Sequence, residues 1–168
     1  MGISNPTDYR IPPSRLEFIR KWHELATTDP AIQDNVFFKF VATWVAFNAF
    51  YAEMFPKLSN QDREQIKKYS ELPGTKSKHA ELLKNHEYKA AVEFFCRQGV
   101  HGEPDPSSLH DTKAIFNHVY RVRCNLFHGG KMPENPRDYK LVESAYSIVS
   151  RIVELELQEL IHVEEQVY

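Results

Sequence analysis

Val36-Phe-Phe-Lys-Phe-Val-Ala-Thr-Trp-Val-Ala-Phe-Asn-Ala-Phe-Tyr51, wound at about 100° per residue, is apolar around most of its circumference. A helix of that kind is packed on several sides, which makes it the expected axis of a helical core. Phe37, Val41, Trp44, Asn48, Tyr51 and Phe55 fall in one stripe, so a carboxamide, Asn48, stands in the middle of the most apolar face. A buried amide without partners costs about 1–3 kcal/mol. Asn48 is therefore expected to bond a neighbouring helix or to support a polar site.

Outward from this segment, all ten prolines fall between apolar-periodic stretches, and what they separate reads as helix. Residues 1–13 are expected to form an extended arm. Ser14-Arg-Leu-Glu17 has the form of a capping box opening a helix that ends before Asp29-Pro30. The quoted helix runs from Asp34 to about Phe55. Ser59-Asn-Gln-Asp62 opens a short polar helix ending before Pro73-Gly74, and a fourth covers Ser77 to Gln98, with a break allowed at Asn85 and Gly99 at its stop. Ser108-Leu-His-Asp111 offers a cap for a fifth that reaches Phe127 and is ended by Gly129-Gly130. The last, from about Arg137 to Glu164, repeats Leu141, Ala145, Ile148, Val149, Ile152, Leu155 and Leu160 with a period of about 3.6. No stretch alternates as a strand does, and there is no repeat or low-complexity tract, so the prediction is one all-α domain over residues 1–168.

Composition excludes several classes. With 42% apolar residues, 168 residues suffice for a core without disulfides or metal, and Cys96 and Cys124 make no framework. No charged-then-apolar leader opens the chain, and the expected location is a reducing cytoplasm. The apolar run from Phe40 to Ala52, closed by Lys39 and Glu53, falls short of the roughly 20 residues that span a bilayer, so no membrane is expected. The 21 basic and 23 acidic side chains nearly cancel, so any nucleic-acid contact needs a local patch. His79 and His86, like His101 and His110, lack metal-ligand spacing, and neither a metal nor a cofactor is expected. Dinucleotide, NTPase and serine-hydrolase motifs are missing as well.

The fifth helix places Ile115, Val119, Val122 and Leu126 on its core face and Asn117, Arg121, Asn125 and His128 opposite, with His118 at the edge and Arg123 on the flank beside Phe116 and Phe127. Arg121-Val-Arg-Cys-Asn-Leu-Phe-His-Gly-Gly-Lys131 thus gathers two guanidiniums, an amide, an imidazole and a lysine at one helix end. Cations at a C-terminus complement the helix dipole, and His128 can serve as a cap, which is the structural reading. The chemical reading is phosphoryl transfer on RNA. A neutral imidazole can take the proton of a ribose 2′-hydroxyl, a guanidinium can stabilise the anionic phosphorane, and the two glycines offer backbone donors. The last helix is acidic, with Glu143, Glu154, Glu156, Glu159, Glu164 and Glu165 against Arg151. That face is simply solvated, a surface for a basic partner, or the counterpart of a positive cleft in which Arg121, Arg123, Lys131, Arg137 and Lys140 surround His128.

Arg123-Cys-Asn-Leu-Phe-His128, followed by Gly129, resembles the R-x(4-6)-H motif of HEPN domains, and Trp44-x-x-Phe47-Asn48-x-x-Tyr51 resembles the segment that accompanies it in several branches of that family. The resemblance implies a HEPN-like up-and-down bundle of four to five main helices, dimerising so that two motifs face one cleft. It also implies metal-independent RNA cleavage leaving a 2′,3′-cyclic phosphate and a 5′-hydroxyl, in a toxin-antitoxin or antiviral defence setting where an antitoxin is a further partner. Carried over residue by residue, Arg123 and His128 form the catalytic pair, Arg121, Asn125 and Lys131 contact RNA phosphates, and Asn48 supports them. Arg121 also satisfies the spacing and lies closer to His128 on an ideal wheel. Cys124 occupies the slot usually held by a polar residue after the arginine, so that either Asn125 substitutes for it or the activity is weakened. The alternative is a non-catalytic module that binds a nucleotide or a partner protein through the same groove.

Overall fold

The computed structural model describes residues 11–165, with side chains to Ile161. It is an all-α bundle: α1 (Pro13–Thr28), α2 (Val36–Met54), α3 (Asp62–Glu71), α4 (Pro73–Leu82), α5 (His86–Gln98), α6 (Thr112–Phe127) and α7 (Pro136–Glu165). Of the arm expected over residues 1–13, residues 1–10 lie outside the described part and Pro13 is already helical. None of the described helices is long and apolar enough to cross a membrane. Both cysteines are free.

Most helix starts follow local chemistry, though α3 begins at Asp62 behind Gln61 with no side-chain cap. Pro13, Pro73 and Pro136 each open a helix at the position where a missing N–H costs nothing. Asn35 Oδ1 accepts from the Phe37 and Phe38 amides, Asn85 Oδ1 from Tyr88, and Asp111 Oδ1 from Ala114, so α2, α5 and α6 begin on side-chain caps. The break at Asn85 separates α4 from α5. The capping box at Ser14 does not form: Pro12 is the cap residue, Ser14 lies inside the first turn, and no side chain caps α1. Proline at the first helical position sets the start two residues earlier than the Ser/Glu pattern requires.

α2 and α7 are the central helices; α2 packs on α1, α3 and α7, and α7 also meets α5 and α6, while α3 lies on α6. The buried face of α2 is Phe40, Thr43, Trp44, Phe47, Phe50 and Tyr51. It is rotated away from the stripe read off the sequence, so that Val41 and Asn48 are only half buried. Phe47 is fully buried and meets four rings from three helices edge-on or tilted: Tyr51 at 5.0 Å, Tyr69 at 5.2 Å, Trp44 at 5.7 Å and Phe116 at 6.0 Å between centroids.

The acidic face of α7 is not wholly solvated. Glu156 is buried, accepts a hydrogen bond from the Tyr69 hydroxyl at 2.5 Å and lies 3.3 Å from Lys78 Nζ. Burial, with Glu159 nearby, holds its carboxyl above the usual range in spite of Lys78 and Tyr69. His118, placed at the edge of the polar face by the wheel, is fully buried against Phe95. Its Nδ1 donates to the Ala114 carbonyl at 2.9 Å, and Nε2 has no partner. His79 is buried too, donating from Nε2 to the Leu109 carbonyl at 2.6 Å and accepting at Nδ1 from the Tyr88 hydroxyl at 2.7 Å.

Burial pulls both imidazoles below the ordinary 6.5, although backbone bonds work the other way. The unfolded chain therefore takes up protons that the fold refuses, and these rings contribute stability above pH 6.5 that is lost as the pH falls through and below that value. Glu156 has the opposite sign, so the diagnostic comparison is between proteins. Between about pH 7.5 and 5.5 the urea midpoint is expected to fall less in His118→Leu than in the wild type.

Candidate functional site

The end of α6 is closed by backbone geometry. The Gly129 amide donates to the Leu126 carbonyl at 3.1 Å and the Gly130 amide to the Asn125 carbonyl at 2.7 Å, while Gly129 takes φ +72°. This pair of bonds with a left-handed glycine is a Schellman closure, and it holds His128 at the cap position with an exposed side chain. The closure also occupies both glycine N–H groups, so the backbone donors expected there for an anion are not free.

Arg123, one turn earlier, is held by rings. Its guanidinium carbon lies 5.1 Å from the Phe127 ring centroid, 5.7 Å from Trp44 and 6.0 Å from Tyr120. Nη2 is 3.5 Å from Asp62 Oδ2 at the start of α3, and Nη1 reaches Cys124 Sγ at 3.9 Å. Nε is buried and makes no hydrogen bond, and neither does the buried Trp44 Nε1. The cation is therefore fixed in orientation by aromatic faces and one long carboxylate contact, with part of its donor fork unused.

Asn48 bonds within its own helix: Nδ2 donates to the Tyr51 hydroxyl at 2.6 Å. Burial, then the Asp62 carboxylate, pushes the Tyr51 phenol far above its usual range, so it stays neutral. Arg123 and Asp62 both act on that phenol electrostatically, which connects Asn48 to the Arg123 cluster through Tyr51.

The other candidates are engaged elsewhere. Arg121 Nε and Nη2 lie 3.2 and 3.1 Å from Glu103 Oε1. That carboxylate, only 1% exposed, also accepts from Arg63. Lys131, its side chain 6% exposed, donates to Asp138 Oδ1 at 2.7 Å; the other oxygen of Asp138 accepts from the Met132 amide, and Asn135 Oδ1 caps α7 through the Arg137 and Asp138 amides. Asn125 is half buried, and its carbonyl serves the Schellman closure. Of the five cations expected around His128, Arg121, Arg123, Lys131 and Lys140 each face a carboxylate, and Lys140 lines a groove beside α2 and α5 instead. Asp62, Glu103 and the Trp44–Tyr120–Phe127 cage were not legible as a unit, because α3, the α5–α6 loop and α2 meet α6 only in the fold.

No family model, curated protein or solved structure matches the chain.

Replacing Asn48 by alanine strands the buried Tyr51 hydroxyl. The expected loss is about 1–2 kcal/mol of unfolding free energy by urea titration, with Tyr51→Phe in the same background restoring part of it.

Proposed function

We propose that the protein is a metal-independent endoribonuclease of the HEPN type, working as a homodimer, with Arg123 and His128 as its catalytic pair. The observation that carries this reading is the contrast at the end of α6: Arg123 is packed among three rings with only a long Asp62 contact on its outer nitrogens, and five residues later His128 stands exposed on a hydrogen-bonded helix end. In this reading an imidazole removes the proton from a ribose 2′-hydroxyl. The resulting oxygen attacks the adjacent phosphorus, the bond to the 5′-oxygen breaks, and that oxygen leaves as a 5′-hydroxyl after protonation. The guanidinium neutralises the charge that grows on the phosphoryl oxygens. Phosphate would replace the long Asp62 contact with bidentate bonds. Asn125 orients the phosphate, and Arg121 and Lys131 contact flanking phosphates after giving up Glu103 and Asp138.

Exposed Phe127 and Met132, 53% and 62% accessible, supply apolar surface beside the motif for a second copy, which brings two pairs to one cleft. The carboxylates on Arg121, Arg123 and Lys131 weigh against phosphate chemistry and support a second reading, a non-catalytic module that uses the same groove for a nucleotide or, better matched to the balanced charge, a partner protein.

Cleavage of a mixed-sequence RNA in EDTA separates the two. The expected products carry 2′,3′-cyclic phosphate and 5′-hydroxyl ends, and Arg123→Ala and His128→Ala each lower the rate by about 100-fold or more. Arg121→Ala is expected to raise KM more than it lowers kcat. RNA bound but uncut by the wild type, or cutting that survives His128→Ala, would defeat the catalytic reading.

A further inference from the structure

A second feature shares no residue with α6. Two cavities of about 570 and 480 Å³ lie side by side along α7, one toward Asp34 and the start of α5, the other toward His23, and they share Lys39, Glu87, Tyr146 and Ser147. The α7 residues beneath them extend from Tyr139 to Glu154, a span of about 22 Å. Both are open to solvent on one side, grooves rather than enclosed chambers.

The polar lining of the first is incomplete. Ser144, 2% exposed, belongs to the floor, and its Oγ has no hydrogen-bond partner, not even the carbonyl one turn back that helical serines usually find. His23 Nδ1 in the neighbouring cavity is likewise buried and unpartnered. Where the two cavities join, Lys39 Nζ sits 4.6 Å from the Tyr146 ring centroid and pairs with no carboxylate among the described residues. Tyr146 is itself anchored by donating to the Ala26 carbonyl at 3.3 Å. Asp34 has no ionic partner among the described residues, and Glu87 has only a 3.5 Å contact to Arg151. A buried polar atom left unbonded costs free energy, and two of the six such side-chain atoms among the described residues adjoin this groove beside an unpaired lysine.

The charges narrow what that is. Lys39, Lys140 and Arg151 line the groove against Asp34, Glu87, Glu143 and Glu154, and Lys140 is already committed to Glu143. An excess of carboxylates repels polyanions such as nucleic acid or nucleoside triphosphates, whereas one free cation with acidic neighbours matches a molecule carrying one carboxylate and one ammonium. We propose that this groove binds a small zwitterionic peptide of two or three residues. Its terminal carboxylate lies on Lys39 and, after one staggered rotation of the side chain, on the Ser144 hydroxyl. Its ammonium is held by Glu87 or Asp34.

Isothermal titration of the full chain with Ala-Ala, Phe-Ala, Asp-Ala and Lys-Ala, each also N-acetylated and C-terminally amidated, tests the proposal. At least one free dipeptide is expected to bind with Kd below about 1 mM, and amidation, acetylation and Lys39→Gln are each expected to weaken it about tenfold or more. Ser144→Ala keeps the test independent of Lys39: it removes an unbonded buried hydroxyl, so the free protein's Tm is expected to hold or rise by about 2 °C while dipeptide affinity falls severalfold. The proposal is overturned if no dipeptide binds below about 10 mM, if binding ignores Lys39→Gln and amidation, or if inorganic phosphate or AMP binds through Lys39 and the dipeptides do not.

Discussion

The packing of Phe47 against Tyr51, Tyr69, Trp44 and Phe116 is the constraint from which the rest of the molecule follows. Aromatic rings prefer edge-on contacts at limited separations, so rings from α2, α3 and α6 meeting at one point fix the mutual angles of those helices more tightly than aliphatic chains would. Trp44 belongs to this cluster and also lies beside Arg123, so the core and the cation share a wall. The side chain with the most chemical potential is therefore held by the same contacts that hold the fold.

Much of this architecture is written locally. Prolines at helix starts, asparagine and aspartate caps, and glycine with positive φ after α5 and α6 each act through neighbours a few residues away, which is why boundaries near Asn85, Asp111 and Gly129 can be read from the chain. The reading fails where two local signals compete, as at Ser14 beside Pro12 and Pro13, and where an ideal wheel is asked which way a helix turns. α2 is apolar on nearly every side, so its rotation is set by which large rings find partners, and Asn48 moves from the supposed centre of the core to its margin.

The site is legible in part for the same reason. Arg121, Arg123, His128 and Lys131 share one helix end, and their clustering is a matter of helical spacing. Their partners are not. Asp62, Glu103 and Asp138 reach them from α3, a loop and α7, and the resulting ion pairs turn an apparent positive cleft into a nearly balanced surface. Buried charge behaves in the same way. Glu156 looks like one more acidic residue on a solvated helix until Tyr69 and Lys78, from two other helices, are seen to enclose it. Hydrogen-bond and charge satisfaction is a tertiary property, and periodicity carries no information about it.

The closure that ends α6 has a geometric corollary. With the Gly129 and Gly130 amides both tied back to the last turn, the Cα of His128 is placed by the helix, and the direction of the ring is left to its two side-chain torsions. Its nitrogens are confined to the positions that those torsions allow, on the solvent side of the helix end.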